Sequence, residues 1–521
     1  MANQTLFKSL FAKGRPKPDT VNHEQAPAYR FSPQHTLAQY AATGCLHNTF
    51  YAHAEDQLQT VLGLARQVDP TFVAQTAIYS RKRGHMKDMP ALLTASLSSH
   101  GMERLPQVFD RVIDNGRMVR NYVQIMRSGA TGRRSLGTRP KRLVQNWLNS
   151  ASAMQLIRAS VGQNPSLKDV IRMVHPKPVT AEREALFAYF LGRAHDPELL
   201  PEVLQAFERF KKDRSAPVPD VPFQMLTALD LDAAQWAAIA RQAGWHMVRM
   251  NLNTFARHGV FALDGMTETI AYRLADAEEI ARARVFPYQI MAAWASIGGE
   301  VPGLVKDALE DAMESAIDNV PEIPGRVVVC PDVSGSMCWP VTGYQGGGGA
   351  SSKVTCNDVA ALIASAVLRK NPGATVMPFE HRVVNVTLNA KAGVLRNARA
   401  LARIGGGGTD CSAPLAQLNR SHYSVDMVIM ISDNESWFDA KRGHDTGTMR
   451  QWQTLKRRNP DARLVCIDLT PYGTTQAPER SDILNIGGFS DAVFETLAAF
   501  ATGTLNPEHW VGRIKEIAIE P

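Results

Sequence analysis

The chain has 521 residues, 45% of them apolar and 21% charged, which at roughly 100–200 residues per domain predicts two to four globular domains. No run of ~18 apolar residues is present, so a transmembrane helix is excluded. The opening MANQTLFKSLFAKGRPKPD lacks an apolar core followed by a small-residue cleavage site, so no secretory signal is expected. Six scattered cysteines are too few for a disulfide scaffold, and a soluble chain in the reducing cytoplasm is the expectation.

The net charge of +7 is unevenly placed. Residues 1–250 hold 32 Lys and Arg against 20 Asp and Glu; the remainder holds 25 against 30. The excess peaks in residues 101–150, with 10 basic and 3 acidic side chains. Such asymmetry suggests a polyanionic partner for the basic half, although a generic basic surface would give the same count.

In chain order, residues 1–33 carry Pro16, Pro18 and Pro27 among polar neighbours and read as a mobile arm or a strap along the surface. From 34 to 322 apolar residues recur at helical spacing, for example over 57–68, 71–84, 89–101, 105–129, 197–213, 233–244 and 301–318. Several of these stretches end at Gly, where a left-handed cap carries no Cβ clash. Helix pairs joined by short turns predict an all-α solenoid, without a strict repeat period. At 321–325 PEIPG marks a linker, and from 323 to 521 strands and helices alternate. Strands are predicted at 326–333, 374–380, 382–388, 426–432 and 463–470, and helices at 354–370, 392–405 and 491–503. Unbroken apolar strands separated by helices predict a doubly wound α/β sheet covered on both faces.

The sharpest chemical signal ends the first of these strands. In DVSGSM, Asp332, Ser334 and Ser336 alternate along an extended loop, so one carboxylate and two hydroxyls point the same way. Thr409 follows the glycine run Gly405–Gly408, and Asp433 follows the strand DMVIMIS directly. All five are hard oxygen donors at positions where ligands of a doubly wound sheet bind, and they suit Mg²⁺ rather than zinc. Cys330 and Cys466 lie in apolar strands and are expected to be core. A turn or helix cap is the alternative for any one part of the pattern taken alone.

This three-part pattern resembles the metal-ion-dependent adhesion site of von Willebrand factor A domains. The resemblance implies that the hydroxyls contact the cation and that one coordination position stays open for an acidic group of a partner. The insertion VTGYQGGGGASSK at 341–353 lengthens the loop after the first motif, a departure from that pattern. Over most of the chain from residue 34 onward, the sequence further resembles the bacterial Ro ribonucleoprotein family. The resemblance rests on MRSGATGRRSLG (126–137), SLKDVIRMVHPKP (166–178), FPYQIMAAW (286–294), GGTDCSAPL (407–415) and SDNES (432–436). It implies a HEAT-like helical-repeat ring, the TROVE module, closed by the A domain, and a monomeric RNA-binding protein that is not an enzyme. Small noncoding Y-type RNA would lie on an outer basic surface, and single-stranded 3′ ends of misfolded RNA would enter the ring. A tethered partner would be the exoribonuclease polynucleotide phosphorylase.

The residues support an RNA reading in their own right. Arg133, Arg134, Arg139, Lys141 and Arg142 form a basic run after a Gly-rich break. Lys168 and Arg172 are four apart on one helix face, with His175 at its end before Pro176. Arg158 on the preceding helix and Lys168, Arg172 and His175 match positions near the family's Y RNA surface, while Gly162 stands where a further basic residue is expected. A solvated amphipathic face would explain any one of these singly. His246, Arg249 and Arg257 make a mixed aromatic and basic segment that could face the hole, and the Met and Leu residues beside them read as core. Two other readings stay open. One is a magnesium-dependent protein-interaction scaffold supported by helices. The other is a metal-dependent nuclease, for which Glu435 is the one nearby candidate base.

Overall fold

The computed structural model describes residues 17–44, 46–318, 320–341, 353–437, 446–505 and 508–519. They form two compact units. One combines the described residues up to Ala54 with those from 320 to Arg513; the other combines Glu55–Asp318 with those from Ile514 onward. This division differs from the one read in the sequence. Residues 34–54 go with the sheet because the helix Pro33–Thr43 is anchored there through Gln39, and the last residues go with the helices because Gln75 Nε2 donates to the carbonyls of Lys515 and Ile517.

The strands in chain order are β1 (Thr20–Val21), β2 (Pro27–Arg30), β3 (Val327–Pro331), β4 (Thr375–Val376), β5 (Met427–Ser432), β6 (Arg463–Asp468), β7 (Thr474–Thr475) and β8 (Ile483–Gly487). The main sheet has the order β4-β3-β5-β6-β8 and is parallel throughout. Its central strands read as continuous Val, Ile, Met and Leu because both faces are covered, and every residue of β3, β5 and β8 is buried. Cys330 and Cys466 are part of this core, as expected, with Trp452 packed beside them. From β3 the chain steps to β4 on one side and later to β5 on the other. The strand order therefore reverses at β3 and β5, and a crevice opens outside their carboxyl ends. A second, antiparallel ribbon, β1-β2-β7, ties the N-terminal segment to the loop after β6.

Two strand expectations need correction. Residues 382–388 form no strand: Val383 makes a single isolated bridge to Phe379, and exposed positions recur through the run, so no neighbour is there to build a ladder. The fifth strand is instead β8, whose ILNIG text is interrupted by Asn485. That side chain is buried and satisfied by Thr475, Glu479 and the Ala477 carbonyl.

The other unit is helical. Pro70–Lys82 packs on Asp88–His100, which packs on Gly116–Ser128, and Met266–Ala275 packs on Gly303–Ala316. The single helix expected over 105–129 is two, Leu105–Val112 and Gly116–Ser128. Ile113 leaves helical geometry, and Asn115 caps the second helix by accepting the Met118 N–H. Leu167–Val174 opens with a capping box in which the Ser166 hydroxyl accepts the Asp169 N–H and the Asp169 carboxylate accepts the Ser166 N–H. No helix among the described residues is long and apolar enough to cross a membrane.

Candidate functional site

Asp332, Ser334, Ser336, Thr409 and Asp433 are all buried; Ser334 and Ser336 adjoin, Asp433 interacts with Ser336 and Asp332, and Thr409 lies on the segment packed against this loop. Asp332 continues β3, its N–H donating to the Ile431 carbonyl at 2.9 Å. One carboxyl oxygen accepts the Ser334 N–H at 2.9 Å; the other accepts the Ser432 hydroxyl at 2.5 Å. Ser334 Oγ and Ser336 Oγ lie 3.4 Å apart, close enough for one small cation to touch both. The glycine run has a local reason. Gly406 N–H donates to the Val333 carbonyl and Gly335 N–H to the Gly407 carbonyl, each at 2.9 Å. Gly405 has a φ of +97°, and a Cβ there would collide with the Val333 carbonyl. The run thus lays the segment carrying Thr409 directly on the first loop.

Electrostatics give the site a use for positive charge. Burial pushes both Asp332 and Asp433 above the ordinary aspartate range, and the charge of Asp332 adds to the push on Asp433. Two buried carboxyls with hydroxyl neighbours fit a hard cation, which would offset their mutual repulsion. Among the described residues no three His, Cys, Asp or Glu side chains converge on a metal position, and a cation held here would need the hydroxyls as ligands beside the two carboxylates. The insertion 341–353 lies, but for its end residues, outside the described residues. Glu435 is fully buried; one oxygen accepts the His23 N–H at 2.8 Å, and the other faces His23 Nδ1 at 3.2 Å.

On the helical unit, three open concavities adjoin, the first two sharing Arg127 and Met173 and the second and third sharing Arg172. The first, of about 650 Å³, is lined by Arg127, Arg134, Lys141 and Arg142. The second, of about 600 Å³, runs from Arg127 to Arg172 past Asn164 and Asp169. The third, of about 660 Å³, sets Arg172, His175, Arg193 and His195 around an apolar floor that includes Phe187 and Leu191, with Glu184 and Asp196 also in its lining. His175 projects there from a left-handed helix end, φ +50°.

The structure therefore brings Arg134, Lys141, Arg142, Arg172 and His175 onto one surface. Arg133, Arg139, Arg158 and Lys168 lie outside the linings of these three concavities. Arg133 Nη1 donates to the Ser98 carbonyl at 2.8 Å, and Arg139 Nη1 donates to the Met102 carbonyl at 3.1 Å. Arg158 is exposed and Lys168 half-buried.

A second basic cluster surrounds His246 and Arg249. His246 Nε2 lies 2.8 Å from the Ala283 carbonyl, and Arg249 Nη1 donates to the Gln289 carbonyl at 2.6 Å. The buried Nε of Arg249 has no partner among the described residues. Burial, then Arg249 and Lys87, lower the His246 pKa; Lys87 is itself lowered by desolvation and by Arg117 and Arg81. Arg257 is exposed, and Met250, expected in the core, is 72% exposed because its helix, Trp245–Met250, ends there.

A family model described as the Ro60 vWA domain matches residues 326–501. Over 96% of this chain and 99% of the relative, the sequence is 24% identical to the RNA-binding protein RO60 of Deinococcus radiodurans. A protein of the same name from Caenorhabditis elegans is 25% identical over 46% of this chain and 37% of that protein. The crystal structure of the Deinococcus radiodurans RO (RSR) protein superposes with a TM-score of 0.61 at 22% identity, covering 91% of this chain and all of the other. Residues 326–501 thus match the Ro60 vWA domain, and the chain is similar over nearly its whole length to a protein named RNA-binding protein RO60, whose fold it shares.

In this chain two contributions are not evident from the sequence. Arg127 stands where two concavities meet, yet it lies outside the basic run 133–142, separated from it by a glycine turn. Arg193 and His195 follow the helix Ala181–Leu191, and only the packing of that helix against Leu167–Val174 brings them beside Arg172. Arg127 falls inside the motif MRSGATGRRSLG, and the basic excess of that window was the available signal.

Proposed function

We propose that this chain is a member of the Ro family, a non-catalytic RNA-binding protein of the cytoplasm that acts in RNA quality control, maturation or decay. The observation that carries the reading is the row of adjoining basic concavities from Lys141 through Arg127 and Arg172 to His175. Its cations can track phosphates, while its apolar end can receive an unpaired base. The relatives' names as RNA-binding proteins support it. In the finer reading these concavities take a small noncoding Y-type RNA. The cluster of Lys87, Arg117, His246 and Arg249 takes the single-stranded 3′ end of a structured or misfolded RNA. The chain works as a monomer, with an exoribonuclease such as polynucleotide phosphorylase as a tethered partner. Asp332, Ser334, Ser336, Thr409 and Asp433 would hold Mg²⁺, which when bound would offer a coordination position to an acidic group of a partner.

Gel shifts of the full chain with structured RNA, with and without a single-stranded 3′ tail, test the reading. Arg127→Ala/Arg172→Ala is expected to weaken binding and to lower the salt dependence by about one unit of slope for each phosphate that is no longer neutralised. Equal affinity of wild type and variant would remove these concavities from the interface. Equal binding of the tailed and untailed RNAs would remove the 3′-end site. One observation favours a second reading as a magnesium-dependent protein scaffold: Trp437 is 45% exposed beside Gly408, at the mouth of the metal site.

A further inference from the structure

The loop Asp433–Ser436 carries one of the five candidate metal ligands, and it is fastened largely from outside the sheet. Asn434 has a φ of +60°, a left-handed conformation that asparagine adopts more readily than other non-glycine residues. Its N–H donates to the Ser432 hydroxyl at 3.0 Å, its carbonyl accepts from Gln476 at 3.3 Å, and its side-chain amide donates to the buried Asp468 at the end of β6. The other oxygen of Asp468 accepts from Gln39 of the helix Pro33–Thr43. Gln39 is used at both ends, since its side-chain oxygen accepts the Gly473 N–H at 2.9 Å.

Further along the loop, Glu435 is held by the backbone and ring of His23, and the Ser436 carbonyl accepts the Asn22 side chain at 2.6 Å. Ser436 Oγ then lies 3.4 Å from the Thr409 carbonyl, joining this loop to the segment of the third hydroxyl donor. Asn22, Gln39, Asn434, Glu435 and Asp468 are all at most 3% exposed. Burying so many polar groups is costly unless each is paired, so losing the N-terminal donors would leave carbonyl and carboxylate groups of this loop unpaired.

We propose that the N-terminal segment is a clamp on the metal site. Asn22, His23 and Gln39, the last acting through Asp468, are positioning residues that hold Asp433–Ser436 in the cation-binding shape. Docking of residues 20–39 and cation binding are therefore energetically coupled in both directions. The proposal rests on the metal-site reading above and adds to it a control element remote in sequence.

The test uses the full chain. Mg²⁺ binding is measured by titration calorimetry on wild type, Gln39→Leu and Asn22→Ala, and amide hydrogen exchange of residues 20–31 and 432–437 is followed with and without Mg²⁺. Each variant is expected to weaken Mg²⁺ binding about fivefold or more, and Mg²⁺ is expected to slow exchange in both segments of wild type. Absence of Mg²⁺ binding by wild type would overturn the metal-site reading and the clamp together. Binding by wild type with undiminished binding by the variants, or with exchange at 20–31 indifferent to Mg²⁺, would overturn the clamp alone. Should Gln39→Leu fail to fold, Asn22→Ala and the wild-type exchange data decide.

Discussion

Glu479 shows how a single buried side chain sets a property of the whole chain. One of its oxygens accepts both the Asn485 N–H at 3.1 Å and the Asn485 side chain at 2.9 Å. The other oxygen is buried with no partner among the described residues. Burial raises the carboxyl from 4.5 to about 7, against the pull of those hydrogen bonds. The folded chain thus holds this proton more tightly than the unfolded chain. The stabilising contribution is complete below pH 4.5 and is lost as the pH climbs through about 7. Glu479→Gln keeps an oxygen for Asn485 and removes the titration. Relative to wild type it is expected to gain on the order of 2 kcal/mol between pH 5 and pH 8. Urea unfolding of both proteins at the two pH values checks this, and stability differences that are the same at both pH values would refute it. At this scale Asp332, Ser334 and Ser336 were readable as candidate oxygen donors, because alternation along one extended loop sets them on the same side. The status of Glu479 was not, since its burial depends on Asn485 of a strand the sequence did not reveal.

At the scale of the element, the helix Leu167–Val174 is the most exposed to perturbation, because it is short and carries Arg172 and the left-handed His175. Eight residues have little helical stability in isolation, so the helix depends on its capping box and on Leu167, Val170, Ile171 and Val174 buried beneath it. Ser166→Ala removes the hydroxyl that accepts the Asp169 N–H and is expected to cost about 1 kcal/mol. RNA affinity is expected to fall with it, because the loosened helix no longer fixes Arg172. Thermal unfolding together with gel shifts tests this; loss of stability with RNA affinity fully kept would separate the helix from the interface. This helix was legible, since Ser-x-x-Asp before an apolar stripe is a start signal in its own right. The break at 113–115 was not, because the periodicity runs almost unbroken from Leu105 to Ser128 and only the local backbone of Ile113 interrupts it. The false strand at 382–388 fails for the opposite reason. Its alternating valines have β propensity, but propensity without a neighbouring strand makes no ladder.

At the scale of the whole molecule, each chemistry is built within one unit: the basic concavities within the helical residues 127–199, and the oxygen-donor site within the sheet unit. Chelation of divalent cations is therefore expected to leave RNA affinity of the chain unchanged. Raising salt from 50 to 200 mM is expected to weaken it by about a thousandfold if six phosphates are contacted. Protein binding that vanishes with chelator, together with no salt-sensitive RNA affinity, would instead favour the scaffold reading. What the sequence determined by itself is whatever short-range pattern specifies: helix against sheet, the basic excess of 101–150 and a set of candidate oxygen donors. Tertiary structure alone decided which cations share a surface, since helices must pack before Arg127, Arg172 and Arg193 become neighbours. It also decided that residues 20–39 clamp a loop some four hundred positions away, because hydrogen bonds between buried groups respect distance in space and leave no periodic trace along the chain.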